Sequence, residues 1–547
     1  MWVIKTGVEV DKIKSGKAIN WIVTNKFKLA VVIVLVIGCL VRLINLDGLP
    51  DGLDCDEASS GYEAYAIGEY GVDRNGKEMP VFLVSWGSGQ NALYTYLLIP
   101  FVKIFGLNTF SVRLPMALIG CLSLFIFYKL VLLLKNKKAA LIALIFFSIC
   151  PWHIMKSRWG LESNIFPDLV LLAVYLSAYG IKNKKNILTY LGFAVLGLSS
   201  YAYGTSYFFL PFFVIPALIY LTVKKEMKLK TAIISFLIMS VITIPIALCV
   251  IINKFDLPEF KFLWFTIPRM ASNRFEQLSS VFSSNFISRS FSNFGNSMKI
   301  LVTQYDGLGW SAIQYVGTTY LFSLPFTIIG IIKSFIRNKK SLEYEDNRKL
   351  KNIINIWFIV SVVLLFICEP NINRINIIFI PIIYYTVVGI YEMMNVNNKK
   401  FKIIISVVIA LAYAGAFVAF GYLYTNTEFS DYFVFEDNLK EVIEYVDSKD
   451  DKNIYIDNTI KEGYIYSLFY TKENPNEFYK TVQFFKGNKM DFGNVRSYGN
   501  KHFHLPGDAN DVGDKSVLVI DKRNNYEYDK SKFKVKEFER FIVLENK

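Results

Sequence analysis

The apolar residues of this chain are gathered into runs about as long as the roughly 20 residues that a helix needs to cross a bilayer. The first run covers about residues 29–46. Further runs follow over about 113–134, 139–152, 165–181, 187–203, 206–223, 231–252, 313–336, 353–368, 375–394 and 403–424. This pattern predicts a mainly α-helical, polytopic membrane protein with about eleven transmembrane helices.

Clusters of basic residues between the apolar runs set the expected orientation. Lys135, Lys137 and Lys138 form the first cluster, and others lie near residues 182–185, 224–230, 337–340 and 399–402. Because cytoplasmic loops are enriched in Lys and Arg, we expect residues 1–28 to be a cytoplasmic N-terminal segment, which places every cluster in the cytoplasm. The apolar segment 92–105 is short and contains Lys103, so we interpret it as a helix lying in the outer interface.

This orientation assigns four polar parts of the chain to the outer side of the cell membrane. They are the loops 47–112, 152–164 and 253–312 and the tail 425–547. The predicted membrane domain is therefore 29–424, followed by a small extracytoplasmic α/β domain. The tail's expected elements are a helix at Asn438–Val446, a helical stretch around Tyr464–Tyr470, and strands at NIYIDN, SVLVID and RFIVLEN.

Composition supports the membrane interpretation. The chain is 53% hydrophobic and 19% charged, whereas soluble chains are roughly 25% charged, which argues against a cytosolic enzyme or a disordered protein. The net charge of +14 could indicate a nucleic-acid partner. Since the basic residues sit between apolar runs, we expect membrane lipids and no nucleic acid as partners. Most of the cysteines lie in or beside apolar runs, so no disulfide framework is predicted.

Acidic residues crowd the start of the first outer loop. Asp47, Asp51 and Asp54 precede the pair Asp56–Glu57, and the helical pattern EASSGYEAYAIGEYG begins at this pair. One interpretation is a helix cap, because carboxylates are favourable at a helix N-terminus. The other is a carboxylate that serves as a general base or a metal ligand at the membrane surface.

The order of the next segments resembles a known family. After the Asp-Glu pair and GYEAYAI comes LYTYLLIPFVKIFGLNTFSVRLP, then a span ending in a basic turn, then a span ending in SICPWHIMKSRWGLESN. This order resembles the polyprenyl-phosphate-dependent glycosyltransferases related to protein O-mannosyltransferases and to the bacterial aminoarabinose transferase of lipid A, which have the GT-C fold. The resemblance covers about the first 220 residues well and the tail not at all.

The resemblance implies an enzyme that transfers a sugar from a polyprenyl-phosphate-linked donor to an acceptor on the outer face of the membrane, with inversion. The acceptor would be a glycan, lipid or protein of the cell envelope. It also implies that Asp56 is the catalytic base, with Glu57 beside it and Glu162 as the second acid. No cofactor is identified, although Asp56 and Glu162 could bind a divalent cation.

Several residues are candidates for contact with the lipid phosphate or the sugar. They are Arg113, Lys156, Arg158 and Arg374. The alternatives are that Lys156 and Arg158 anchor the chain in the interface, and that Arg374 pairs with Glu369. Members of the family often have Lys-Pro-Pro where this chain has Gln90 and Asn91, and an amide can bind a phosphate but cannot neutralise it.

Two further points stay open at this stage. A transporter or lipid flippase would also be polytopic, but its sites are expected near the bilayer midplane, whereas the charges here concentrate at the outer boundary. The turn SSYAYGTSYFF contains Tyr201, Tyr203 and Tyr207, which we interpret as an aromatic belt rather than as a sugar platform.

Overall fold

The long apolar runs fold as α-helices. The computed structural model describes residues 24–85, 89–270, 285–336, 343–426, 435–436, 438–449, 452–485, 495–509, 512–513 and 515–546. Within these ranges the chain is mainly helical, with a mixed sheet near the C-terminus. Most of the predicted cytoplasmic segment, and the basic cluster at 337–340, lie outside the described residues.

Ten helices precede residue 255 in the described part of the chain. The first, α1, covers residues 24–43. The others are α2 (Cys55–Tyr70), α3 (Leu93–Phe105), α4 (Thr109–Leu134), α5 (Lys137–Ile149), α6 (Pro151–Ser157), α7 (Glu162–Lys182), α8 (Asn186–Ser199), α9 (Ser206–Val223) and α10 (Leu229–Lys254). The axis bends by 58° between α5 and α6. Pro151 causes this break, because proline disfavours a helical conformation in the preceding residue and Cys150 is extended.

Five further helices complete the part of the chain before the tail. They are α11 (Phe286–Thr303), α12 (Leu324–Phe335), α13 (Glu343–Ile367), α14 (Phe379–Met393) and α15 (Lys399–Asn426), with short 3₁₀ turns at Leu321–Ser323 and Asn376–Ile378. Glycines let α12 and α14 approach closely. A Cβ on Gly330 would lie 1.8 Å from the carbonyl oxygen of Tyr385, so no larger residue fits there.

In the described residues, seven helices are long and apolar enough to cross a membrane, or eight if the bent pair α5–α6 counts as one span. Helices α10 and α15 bury little of their apolar surface, as expected of helices that face lipid. A multi-pass helical membrane protein is confirmed, whereas the count of eleven stays a prediction. The segment 92–105 is a 13-residue helix, in line with its interpretation as a short interfacial element.

One predicted span is wrong at its start. The run 313–336 becomes helical only from residue 321, and the residues before it form turns. Gly317 and Tyr320 both have positive φ, of 80° and 63°, which an α-helix does not tolerate. The apolar character of this segment therefore reflects burial of a folded turn.

The tail folds as an α/β domain around a seven-stranded sheet of order β10-β11-β9-β5-β8-β7-β6. The strands are β5 (Asn453–Ile456), β6 (Gln483–Phe484), β7 (Val495–Tyr498), β8 (Lys501–His502), β9 (Ser516–Asp521), β10 (Phe533–Glu537) and β11 (Phe541–Asn546). The helices are α16 (Leu439–Asp447), α17 (Gly463–Thr471) and α18 (Pro475–Thr481). Strand β5 is parallel to β8 and β9. The elements expected from the sequence are all present.

Two small hairpins lie between the membrane helices. One pairs β1 (Phe82–Leu83) with β2 (Gln90–Asn91), and the other pairs β3 (Phe260–Phe262) with β4 (Phe265–Ile267).

The C-terminal domain packs directly on α2. The Tyr62 hydroxyl donates a hydrogen bond of 2.8 Å to the carbonyl oxygen of Glu473. A Cβ on Gly61 would lie 2.7 Å from Cε2 of Phe469, so α17 and α2 are in close contact. The Glu436 amide also donates to the Leu53 carbonyl, at 3.0 Å. The loop 47–112 is therefore held between the membrane helices and the tail.

Candidate active site

The acidic cluster at the start of α2 is divided between two roles. Asp54 is the N-cap: its carboxylate accepts a 2.9 Å hydrogen bond from the Asp56 amide, and the Glu57 carboxylate accepts one of 3.3 Å from the Asp54 amide. Burial, with the neighbouring carboxylates of Asp56 and Glu57, raises the pKa of the Asp54 carboxyl well above its usual range. The capping interpretation thus applies to Asp54 and Glu57.

Asp56 instead lines a polar cavity of about 140 Å³, which we call the loop cavity. Its lining consists of Asp56, Gln90, Leu161, Glu162, Ser163, Tyr203, Asn371, Asn373 and Arg374. These residues come from the start of α2, from β2, from the start of α7 and from the loops before α9 and α14. Four of the candidates from the sequence, Asp56, Gln90, Glu162 and Arg374, are therefore brought together.

Glu162 is the first residue of α7 and is almost fully buried. The turn that carries it is fixed on both sides. The Asn164 side-chain amide donates to the Trp159 carbonyl at 3.1 Å, and the Asn376 amide donates to the Ser163 carbonyl at 2.7 Å. These bonds hold the position of Glu162 relative to the loop before α14, which carries Arg374.

Gln90 is held by a hairpin whose turn needs glycine. Gly89 has φ of 83°, and a Cβ there would lie 2.2 Å from Cε1 of Phe82. The Gln90 Nε2 donates to Ser60 Oγ at 3.0 Å, whereas its buried Oε1 has no hydrogen-bond partner among the described residues. Gln90 thus adds an uncharged amide to the cavity lining, which suits a sugar hydroxyl better than a charged phosphate.

Asn91, the other amide candidate, does not line the loop cavity. Its Nδ2 donates to the Tyr207 hydroxyl at 2.8 Å and to the Ser200 carbonyl at 3.3 Å. It thus joins the hairpin to the turn before α9. Tyr203 of the same turn lies in the cavity lining, and the interpretation of these tyrosines as an aromatic belt stays a prediction.

Arg374 both lines the loop cavity and pairs with an acid. Its Nη1 lies 2.5 Å from Oε2 of Glu369, and both side chains are partly exposed. Its loop is anchored because the Asp306 carboxylate accepts a 2.9 Å hydrogen bond from the Ile372 amide. The pair with Glu369, one of the two alternatives considered from the sequence, is therefore formed, and contact of Arg374 with a phosphate or sugar stays a prediction.

Glu57 and Arg113 form a buried ion pair outside the lining of the loop cavity. Arg113 Nε lies 2.8 Å from Glu57 Oε1, and Nη2 lies 2.9 Å from Oε2; both side chains are fully buried. The remaining donors of Arg113 bind the carbonyls of Leu46, Pro50 and Gly52. These partners occupy the N–H groups of the Arg113 guanidinium. Arg113 therefore does not reach the loop cavity. The pair fixes the turn that precedes Asp56.

Arg158 supports the same turn from the other side. Its guanidinium donates to the carbonyl oxygens of Val41, Asn45 and Leu49 at 2.7–3.1 Å. These contacts satisfy carbonyls at the C-terminal end of α1, which otherwise lack partners. Arg158 is buried in these contacts, which does not fit an exposed interfacial anchor, and it does not line the loop cavity; its contact with a lipid phosphate or sugar stays a prediction.

Lys156 belongs to a buried charge network in the membrane domain. Its Nζ lies 2.6 Å from Oδ2 of Asp168. Asp168 Oδ1 is 3.4 Å from Nε2 of His153, whose Nδ1 lies 2.7 Å from Nη2 of Arg42. The network explains how Arg42 is accommodated within the first span. It also keeps Lys156 away from the loop cavity and, like Arg158, away from the interface.

The acidic, histidine and cysteine side chains of the described residues do not form a metal site by themselves. Within the described residues, no group of three or more His, Cys, Asp or Glu side chains is arranged to hold a metal ion. The loop cavity does combine the carboxylates of Asp56 and Glu162 with the amides of Gln90, Asn371 and Asn373. Oxygen donors of this kind suit a hard divalent cation.

The sequence analysis missed the amides of the loop before α14. Asn371 and Asn373 flank Ile372 in EPNINRIN, and both line the loop cavity beside Arg374. They belong to a turn, in which the Asn373 amide donates to the Asn371 side-chain oxygen at 2.8 Å. The signal was the pair of asparagines next to the candidate arginine, since Asn side chains favour such turns.

The whole chain resembles solved glycosyltransferase structures in its fold. The oligosaccharyltransferase of Archaeoglobus fulgidus, in its apo form, matches with a TM-score of 0.55 and 13% identity, over 92% of this chain and 70% of that one. ArnT from Cupriavidus metallidurans, bound to undecaprenyl phosphate, matches with a TM-score of 0.54 and 12% identity, over 94% and 97%. This chain has the GT-C fold. The expected fold class is confirmed.

A sequence match to a family of glycosyltransferases covers part of this chain. Residues 91–252 match the family described as dolichyl-phosphate-mannose-protein mannosyltransferase. No curated protein matches the sequence. The matched region contains Glu162 but neither Asp56 nor Arg374, so the roles of these two residues rest on the geometry of the loop cavity.

Proposed function

We propose that this protein is a membrane glycosyltransferase that moves a sugar from a polyprenyl-phosphate carrier to an acceptor hydroxyl. The observation that carries the proposal is the loop cavity, where Asp56, Glu162 and Arg374 meet although they come from three separate loops. Transfer of this type needs a base for the acceptor and a positive charge for the departing phosphate, and the lining supplies both. The family match and the fold favour this function over a transporter or flippase.

The proposed reaction is a single displacement at the anomeric carbon. Asp56 accepts the proton of the acceptor hydroxyl as its oxygen attacks, while the bond between the anomeric carbon and the phosphate oxygen breaks. The bonding electrons pass to the carrier, which leaves as polyprenyl phosphate, and attack from the opposite face inverts the configuration. Arg374 offsets the growing negative charge, and Glu162 and Gln90 orient hydroxyl groups.

A divalent cation would be held by Asp56 and Glu162 together with the neighbouring amides. When bound, such a cation supplies positive charge for the phosphate of the carrier. The proton acceptor and the hydroxyl-orienting groups would still be side chains of this chain.

The proposed location of the loop cavity is the outer side of the cell membrane, with the N-terminus in the cytoplasm and the C-terminal domain outside. Helix α4 runs from the ion pair at Arg113 to the basic cluster at Lys135, a length of about 33 Å at 1.5 Å per residue. Helix α7 runs from Glu162 to Lys182 over about 30 Å. Both lengths match a hydrocarbon core of about 30 Å, so the cavity and the basic clusters belong to opposite surfaces.

The proposed function is tested by following the donor lipid in reconstituted vesicles. Purified full-length protein is supplied with undecaprenyl-phosphate-linked hexoses or pentoses and with a membrane extract of the native cell as acceptor. We expect release of free undecaprenyl phosphate and an equal amount of glycosylated acceptor, measured by mass spectrometry. Movement of intact donor between leaflets without cleavage would instead support a flippase.

Replacing Arg374 by Gln tests the phosphate contact. We expect Arg374→Gln to weaken binding of undecaprenyl phosphate about tenfold, because a hydrogen bond to a charged group contributes roughly 1.5–3 kcal/mol. Binding is measured by microscale thermophoresis in detergent. Arg269→Gln is the matched control, since Arg269 also pairs with an acid, Asp256, but does not line the cavity. Equal affinities of the two variants would contradict the assignment.

Replacing Gln90 by Met tests the sugar contact separately. The side chain keeps its length but loses the Oε1 acceptor, so we expect transfer to slow about tenfold while the affinity for undecaprenyl phosphate is unchanged. Transfer is measured as release of undecaprenyl phosphate. A loss of phosphate affinity in Gln90→Met would place the amide on the carrier headgroup instead.

A further inference from the structure

A second cavity, of about 240 Å³, lies in the C-terminal domain where β5 ends, and we call it the sheet-end cavity. Its lining consists of Asp457, Asn458, Ile460, Glu462, Gly463, Tyr464, Phe485, Val495 and Phe503. Because β5 and β8 are parallel, the residues that follow them, Asp457 and Phe503, lie at the same edge of the sheet. Ligands of α/β sheets bind at the carboxyl ends of parallel strands.

The lining combines fixed polar groups with aromatic rings. Asp457 is held because its Oδ1 accepts from the Thr459 amide at 2.9 Å and its Oδ2 accepts from the Asp521 amide at 3.1 Å. The rings of Tyr464 and Phe503 meet edge to face, with centroids 6.2 Å apart. A single sugar ring can use this combination, since its hydroxyls bind carboxylates and amides while its C–H groups contact the apolar edges of the lining.

The charges around the sheet-end cavity favour a neutral ligand over a cation. The Glu462 carboxylate interacts with the cationic side chains of Arg74 and Lys461. Burial raises the pKa of the Glu462 carboxyl to about 7, so near neutral pH it can donate as well as accept a hydrogen bond. A sugar hydroxyl can pair with either the neutral or the charged form of the Glu462 carboxyl. A cationic ligand, such as the lysine side chain of a peptide, would be repelled by Arg74 and Lys461.

The residues just before α17 lie within electrostatic range of Asp56. The Lys461 ammonium is attracted by the carboxylates of Asp54 and Asp56, whereas the Glu462 carboxylate is repelled by that of Asp56. Arg74, from the first outer loop, lies over the Tyr464 ring at 5.8 Å. The packing of α17 on α2 then fixes the sheet-end cavity relative to the proposed base.

We propose that the sheet-end cavity binds one sugar unit of a glycan acceptor and presents the acceptor to Asp56. The inference rests on the proposed function and names the acceptor as a saccharide. The cavity is smaller than the roughly 300–1,000 Å³ of sites for drug-sized ligands, which fits a single ring rather than a long chain.

The test is saturation-transfer NMR on the purified full-length protein in detergent. The probes are the methyl glycosides of glucose, galactose, mannose and N-acetylglucosamine, and the peptide Ala-Lys-Ala represents a protein acceptor. We expect at least one glycoside to bind and the peptide not to bind. In Glu462→Ala and Asn458→Ala the affinity should fall about tenfold, the effect of losing one hydrogen bond. Glu477→Ala, on the exposed surface of α18, is the matched control.

The outcomes separate the two proposals. Binding of the peptide in place of a glycoside, binding of no probe, or binding that the cavity variants do not change would overturn the saccharide subsite. None of these results affects the proposed function, which is tested by release of undecaprenyl phosphate in reconstituted vesicles. If the parental protein transfers no sugar there while glycoside binding depends on Glu462, the transferase proposal fails and the sugar site stands.

Discussion

Asp56→Asn is expected to reduce sugar transfer by about 10²–10⁴-fold, the usual contribution of a general base. The variant keeps the shape of the side chain but cannot accept the proton of the acceptor hydroxyl. Since the Asp54 cap uses the Asp56 backbone amide rather than its carboxylate, α2 should still form. The measurement is the rate at which free undecaprenyl phosphate appears, together with the melting temperature of the variant.

Asp47→Asn is the matched control for this experiment. Asp47 lies in the same acidic loop but is exposed and does not line the loop cavity. Its replacement should leave the rate unchanged. A fully folded Asp56→Asn protein that transfers sugar at the parental rate would show that another group accepts the proton.

Glu57→Ala is expected to destabilise the protein by about 3–5 kcal/mol, because it leaves the buried guanidinium of Arg113 without its anion. The loss should appear as a lower unfolding temperature and as aggregation in size-exclusion chromatography. Glu69→Gln, at the exposed end of α2, should change neither.

A double variant separates the loss of the pair from the loss of a catalytic acid. Replacing Glu57 by Leu and Arg113 by Met removes both charges, so it should recover part of the stability lost in Glu57→Ala. A Glu57→Gln protein that keeps its unfolding temperature but transfers no sugar would instead support a catalytic role for Glu57.

The periodic parts of the molecule were the most predictable. Long apolar runs, basic clusters and alternating strands each report a local preference, and the membrane helices and the strands of the tail appear where the pattern indicates. The segment 313–336 failed because hydropathy measures burial, and its turns at Gly317 and Tyr320 are buried without being helical. Patterns of hydropathy therefore overestimate spans where a loop folds back into the protein.

Within the candidate site, the positions of Asp56 and Glu162 were more predictable than the partners of Arg113 and Arg158. Asp56 and Glu162 occupy the starts of helices, and helix starts of neighbouring outer loops meet at one surface. Whether Arg113 or Arg158 reaches a ligand depends on which carbonyls and acids lie within reach, and those partners are up to 117 residues away in the chain. Only the tertiary fold decides between a free guanidinium and a buried one.

The packing of α17 on α2 has a consequence for the order in which the protein folds during translation. Residues 44–70 are synthesised early, yet the partners that cover them, from Glu436 to Glu473, leave the ribosome only after the last membrane helix. The turn at Leu53 and the helix that carries Asp56 therefore gain their contacts with the tail only near the end of translation. A chain that stops at residue 426 would insert its helices and still lack this support for α2.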